Sequence, residues 1–158
     1  MVSAPLPAEG READSKARLR LWIRLLRASR QIEKVTRERL KSQFDGTLPR
    51  FDVMAALYRK PTGMLMSEIS RFLMVSNGNV TGIVDRLVTD GFVARSQRDG
   101  DRRTSFIRLT RKGSAAFAEM AAAHESWIDE LMSGISVRDA EQLSAKLKAF
   151  KSGWEGEA

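Results

Sequence analysis

The chain has 158 residues, with 27 lysines and arginines against 20 aspartates and glutamates, one histidine and no cysteine, for a net charge of +7. That is one domain's worth of chain, and the inventory excludes disulfides, thiol redox switching and Cys/His metal sites. The N-terminus lacks a basic stretch followed by an apolar run, and nothing approaches the roughly 18–20 apolar residues of a membrane span, so the expectation is a soluble cytoplasmic protein with no membrane partner. The basic excess is uneven. Residues 114–158 carry four basic and eight acidic groups, whereas every earlier segment is basic on balance. A basic excess favours polyanionic partners without deciding a fold.

In chain order, residues 1–12 hold Pro5, Pro7 and Gly10 and little to bury, and are expected to form a mobile arm. From Ala13 to Phe44 there is neither proline nor glycine. A polar stripe (Arg20, Arg24, Arg27, Gln31, Lys34, Glu38, Lys41) recurs at steps of four and three, predicting one long helix. Elsewhere its first half is apolar (Leu19, Leu21, Trp22, Ile23, Leu25, Leu26), so it needs covering on more than one side, in so small a chain by a second subunit. A second helix is predicted over 47–58, with Pro49 in the first turn where its missing N–H costs nothing.

Ser67–Leu73 then reads as a short helix. Across a tight connection, Val80, Ile83, Val84 and Leu87 fall at i, i+3, i+4, i+7, predicting a helix with one buried face, Ser76 as N-cap and Gly91 as left-handed C-cap. Its other face carries Asn77, Asn79, Thr81, Asp85 and Arg86, short hydrogen-bonding groups able to read base edges. Gly78 and Gly82 lie on the same helix, where an exposed surface chosen for stability would avoid them at about 1 kcal/mol each. Phe92–Ser96 and Thr104–Leu109 read as two strands joined by a charged turn at Asp99-Gly100. Seven basic residues lie between Phe92 and Lys112, so the hairpin is a cationic finger suited to lie over a nucleic-acid backbone and place an arginine in a minor groove. Thr110 caps a further alanine-rich helix to about Met132, Ser133-Gly134 breaks it, and Ser136 opens a last helix whose Ala140, Leu143, Leu147 and Phe150 share one face. The tail is expected to fray after Gly153.

Met66-Ser-Glu-Ile, Val75-Ser-Asn-Gly-Asn-Val-Thr-Gly-Ile-Val-Asp-Arg-Leu, Gly91-Phe-Val, Asp101-Arg-Arg103 and Leu109-Thr-Arg-Lys-Gly113 together resemble the winged helix-turn-helix of MarR-type bacterial transcriptional regulators. The resemblance implies a mostly α fold with a small β-hairpin wing, flanked by N- and C-terminal dimerisation helices. Laid on the chain, it gives a single domain (1–158) in which 13–44 and 111–152 are dimerisation helices and 47–110 is the DNA-binding module. It makes Ser76 to Arg86 the recognition helix, and gives Arg103 to the minor groove with Asp101 positioning it. With Arg95, Arg98 and Arg102 of the cationic hairpin added as phosphate contacts, DNA contacts are expected from Ser76, Asn77, Gly78, Asn79, Thr81, Arg86, Arg95, Arg98, Asp101, Arg102 and Arg103. The stretch Phe44-Asp-Gly-Thr-Leu-Pro-Arg-Phe-Asp-Val-Met is similar to the subgroup that controls catabolism of aromatic acids and their coenzyme A thioesters.

Competing readings are local. Arg102 and Arg103 without the preceding helix would be a solvated turn, and Arg24, Arg27 and Lys34 read as a solvated stripe. Trp22, Phe44, Phe51 and Met54 are core residues first, and a lone His124 on an alanine-rich helix is more often packed than ligating. The same residues with Arg50, whose fork suits a carboxylate, are candidate walls of an effector cleft. No catalytic constellation is present: there is no thiol nucleophile, no phosphate loop and no second histidine. The reading is a homodimeric repressor, not an enzyme and without cofactor, released from a pseudo-palindromic operator in double-stranded DNA by a small aromatic acid or its CoA thioester. The alternative is a winged-helix protein that binds DNA without sequence preference, or binds proteins, and has no effector.

Overall fold

A computed structural model of the chain describes residues 8–73, 76–98 and 101–155. Its elements are α1 (Ala8–Phe44), α2 (Leu48–Tyr58), β1 (Met64–Leu65), α3 (Met66–Leu73), α4 (Asn77–Thr89), β2 (Val93–Arg98), β3 (Asp101–Leu109), α5 (Arg111–Leu131) and α6 (Val137–Glu155). The fold is mostly helical with one small antiparallel sheet in the order β1-β3-β2. Residues group into two compact units, Met1–Ala121 and Ala122–Ala158. Among the described residues no helix is long and apolar enough to cross a membrane.

In the first unit the core is built from the apolar stripes of α2, α3 and α4. Val53, Met54 and Leu57 of α2, Ile69 of α3, and Val80, Val84 and Leu87 of α4 are all buried, together with Leu40 of α1 and Ile107 of β3. Each such side chain contributes roughly 1.5–3 kcal/mol by leaving water, so the i, i+4, i+7 set of α4 alone decides which face of that helix turns inward. Phe117 of α5 stacks between Phe51 and Tyr58 of α2, with ring centroids 5.4 and 4.9 Å away.

Helix ends follow their local chemistry. Thr47 caps α2, its Oγ1 accepting from the Arg50 N–H at 3.4 Å, with Pro49 in the first turn. Glu68 reaches back so that its carboxylate accepts the Leu65 N–H at 2.7 Å and the Lys60 ammonium at 2.9 Å. These two bonds, the backbone one first, hold its carboxyl below the usual range. Ser136 accepts from the Asp139 N–H at 3.1 Å and donates to the Asp139 carboxylate at 2.7 Å, opening α6. Ser76 stands at the N-cap of α4 with extended backbone, but its hydroxyl makes no capping bond.

Four expectations change. The first helix begins at Ala8, not after an arm of twelve residues: Ala8, Glu9, Glu12 and Ala13 favour helix enough to carry Gly10 inside it. Residues 1–7 of that arm lie outside the described residues. A third strand, β1, joins the hairpin through Met64↔Ile107 and Leu65↔Phe106. Gly63 makes this possible, with φ +99° and a Cβ position only 3.1 Å from the Ile107 carbonyl. The strands of the wing are longer than predicted: Gln97, Arg98 and Asp101–Arg103 belong to them rather than to a loop. The ladder keeps one register to Gln97↔Ser105 and then shifts to Arg98↔Asp101. The turn at Asp99-Gly100 lies outside the described residues. Finally, α6 runs through Gly153 to Glu155, because one glycine in the last turn costs only about 1 kcal/mol.

Both terminal helices keep apolar surface uncovered within the chain. Leu19, Leu21 and Trp22 of α1 are each more than half exposed, and in the second unit so is Phe150 of α6.

Asp52 on α2 is partly buried, and its carboxyl is pushed above the usual range by desolvation and then by Glu33. A carboxyl whose folded pKa is raised costs stability once the unfolded chain ionises, so its penalty grows as pH rises from about 3.8 and is complete once pH has passed the raised folded value. Asp52→Asn is therefore expected to raise the melting temperature at pH 7 and to leave it unchanged near pH 3. Thermal melts across that range check this, and a lower melting temperature at pH 7 contradicts it.

Candidate nucleic-acid interface and ligand cavity

Burial of Val80, Val84 and Leu87 leaves Gly78, Asn79, Thr81, Gly82, Asp85 and Arg86 on the outer surface of α4. The helix closes at Asp90, and Gly91 turns the chain with φ +77°. A Cβ built at Gly78 or Gly82 would meet nothing within 4 Å. Neither glycine is needed by the fold, so each leaves room for something outside it. A groove of about 810 Å³ runs along this stripe, between Gly78, Gly82 and Arg86 on one side and Lys41, Thr47 and Pro49 on the other.

The wing stands beside this face. Arg95 of β2 is paired with Asp85 of α4, which ties the hairpin to the helix. Arg95 therefore has an internal role that the sequence reading, which gave it to DNA, did not contain. Arg98 and the Asp101-Arg102-Arg103 run lie on the outer part of the two strands. Their side chains, like that of Asn77, lie outside the described residues.

The chain around Gly91 and Phe92 is held from several directions. The Phe92 N–H donates to the Leu87 carbonyl at 2.9 Å, and the Phe92 carbonyl accepts from Thr110 at 3.0 Å. The Thr110 hydroxyl donates to the Gly91 carbonyl at 2.7 Å and accepts from the Gly113 N–H at 3.0 Å. Gly113 is obligatory here, since a Cβ would fall 1.9 Å from the Phe92 carbonyl oxygen.

Beside this junction lies a cavity of about 530 Å³ within the first unit. Its apolar wall comes from Phe44, Phe51, Met54, Phe92 and Met120, and its polar groups include Arg50, Asp90, Lys112 and Glu119. Four of the six candidate effector residues, Phe44, Arg50, Phe51 and Met54, are thus brought together. Trp22 and His124 are not among them. Trp22 is 57% exposed on α1. His124 lies in the second unit, edge-on to Trp127 at 6.4 Å, and burial lowers its pKa. Arg50 is not free: its guanidinium is paired with Asp90, forty residues away at the C-terminus of α4. Lys112 donates to the Asp90 carbonyl at 2.9 Å and sits over the Phe92 ring, 5.0 Å from its centroid. Asp90, Phe92 and Lys112 escaped the sequence reading because their convergence depends on the turn at Gly91.

Residues 47–105 match the model of the MarR family. Over 145 residues the chain is 29% identical to the transcriptional activatory protein BadR of Rhodopseudomonas palustris, covering 88% of this chain and 82% of BadR. Among solved structures, a MarR family transcriptional regulator from Silicibacter pomeroyi superposes with a TM-score of 0.73 at 30% identity, covering 89% of this chain and 97% of that one. A mutant E. coli MarR complexed with operator DNA shares the fold, with a TM-score of 0.71 at 24% identity over 82% of this chain and 92% of that one.

The open glycines yield a two-sided expectation. Gly78→Ala and Gly82→Ala should each stabilise the protein by up to about 1 kcal/mol, since helix propensity improves and nothing clashes. If the face lies against DNA, the same variants should bind DNA more weakly. Melting temperature and fluorescence anisotropy on labelled DNA measure the two effects; unchanged DNA affinity in both variants would remove the glycines from the interface.

Proposed function

Because the chain belongs to the MarR family of winged-helix transcriptional regulators, which bind DNA and are not enzymes, we propose that it is a homodimeric repressor released from its operator by a small aromatic acid. The observation that carries the reading is the outer face of α4: short polar side chains and two open glycines on a helix whose opposite face is fully buried, flanked by an arginine-rich wing. In the proposal, residues 47–110 form the DNA-binding module. Ser76, Asn77, Gly78, Asn79, Thr81 and Arg86 enter a major groove, where bidentate side-chain contacts distinguish base pairs. Arg103, positioned by Asp101, enters the adjoining minor groove, and Arg98 and Arg102 contact phosphates.

One such helix reads only a few base pairs. Two copies related by a two-fold axis double the site, with half-sites about 34–36 Å apart. The uncovered apolar surfaces of α1 and α6 supply the material for that pairing, with α1, α5 and α6 as the dimerisation helices. The protein acts in the cytoplasm, on double-stranded DNA.

The cavity supports the choice of ligand class. Its volume lies within the range of small-molecule sites, its walls are aromatic and apolar, and Arg50 offers the planar fork that a carboxylate takes bidentately. A CoA thioester has no free carboxylate to give that fork, which favours the acid. Similarity to BadR points the same way only through the aromatic-acid subgroup read from Phe44 to Met54. BadR's own name, an activatory protein, favours a second polarity in which the regulator turns transcription on. Deleting the gene separates the two, because transcription of the target rises for a repressor and falls for an activator.

Base contacts and phosphate contacts have different signatures. Asn79→Ala is expected to relax sequence preference at one or two positions of each half-site. Arg102→Ala should weaken all sequences alike and lower the salt dependence of binding by about one unit of slope. Binding titrations on a matched set of operator variants at several salt concentrations test this, and equal losses of preference in the two variants contradict the division.

A further inference from the structure

The cavity already holds a carboxylate. Asp90 reaches in from the end of α4 to the guanidinium of Arg50, and the two side chains are only 35% and 20% exposed. Each charge is wrong for its own helix. Asp90 puts negative charge beside the carbonyl end of α4, and Arg50 puts positive charge in the first turn of α2. Neither helix gains from its own residue, so the two are held there by each other. Asp90 can leave for water at little cost to α4, because Lys112 remains on its backbone carbonyl.

The charges around the cavity give Asp90 a further consequence. With it in place the lining holds Arg50 and Lys112 against Asp45, Asp90 and Glu119, an unwelcoming surface for an anion. With Asp90 turned out to water, two cations face two carboxylates, and Arg50 is free.

We propose that Asp90 occupies the ligand's own seat: an aromatic carboxylate binds by displacing the Asp90 side chain from Arg50, which unlatches the C-terminal end of α4 from α2. The proposal rests on the ligand-responsive reading above and adds the residue that gives way. Exchange of one carboxylate for another on the same guanidinium is close to balanced, so burial of the ligand's ring against Phe44, Phe51 and Phe92 drives it. Because Asp85 keeps Arg95, α4 and the wing move together when the latch opens, relative to α2. Coupling of this kind is reciprocal, so DNA that requires the closed latch weakens the ligand by the same factor that the ligand weakens DNA.

Calorimetric titration with benzoate, salicylate and 4-hydroxybenzoate tests the exchange on the full chain. Asp90→Asn keeps the shape and removes the competing charge, and at least one of the acids should bind it roughly tenfold more tightly than the wild type. Arg50→Gln should abolish binding, and in the double variant the gain from Asp90→Asn should vanish, with circular dichroism confirming that all three variants are folded. If Arg50→Gln loses the ligand while Asp90→Asn binds no better than wild type, the exchange is overturned and the aromatic-acid reading stands. If neither wild type nor Asp90→Asn binds any of the three, the aromatic-acid reading falls and the exchange with it.

Discussion

The fold turns on the backbone junction at Gly91-Phe92. Within two residues the end of α4, the start of β2 and the end of β3 are joined by hydrogen bonds to Leu87 and Thr110, and the Thr110 hydroxyl in turn accepts the Gly113 N–H at the start of α5. Gly91 supplies the left-handed turn that lets the chain leave α4 and enter the sheet. Gly113 supplies an approach so close that any side chain would overlap the Phe92 carbonyl. The direction of the wing relative to α4 follows from this junction, and the Asp85–Arg95 pair fastens the two farther out. A cavity opens beside the junction because Phe92 and Lys112 are brought over α2.

From that arrangement comes a separation of roles on α4. Its inner face is spent on stability: Val80, Val84 and Leu87 are withdrawn from water completely. The outer face contributes little to folding and includes two glycines that no internal contact requires. A helix that tolerates such residues on its surface gives up helix propensity, and the close approach of another backbone is what this cost permits. The same helix ends on Asp90, so the element that presents this polar outer face is also the one whose end lines the cavity. Position at one end and exposure along one side make α4 the physical link between its outer face and the cavity.

Much of this was legible in the sequence where it depended on local pattern. The i, i+3, i+4, i+7 set from Val80 gave the orientation of α4, Thr47-Leu-Pro marked the start of α2, and Thr110 and Ser136 marked two more helix starts. What escaped was set by contacts between distant residues. β1 is two residues long, too short for any period, and exists only because β3 offers an edge. The strands of the wing extend into a stretch rich in charge and turn formers because pairing across the hairpin outweighs propensity there. Arg50 was recognised as a carboxylate partner, but Asp90, forty residues on, was not seen as the carboxylate it holds. Phe44 at the end of α1 converges with Phe51 and Met54 of α2 where the first two helices meet, whereas Trp22 and His124 stand on parts of long helices whose surroundings no local pattern specifies.

The outer face of α4, presented twice by a symmetric pair of chains, is proposed to read a specific DNA sequence. A nuclease footprint of the purified protein on the DNA flanking its own gene, at physiological salt, tests it most directly. A protected site with two-fold symmetry and half-site centres one helical turn apart is expected. Weak, uniform protection along the whole fragment would contradict it and favour a winged-helix protein that coats DNA without reading it.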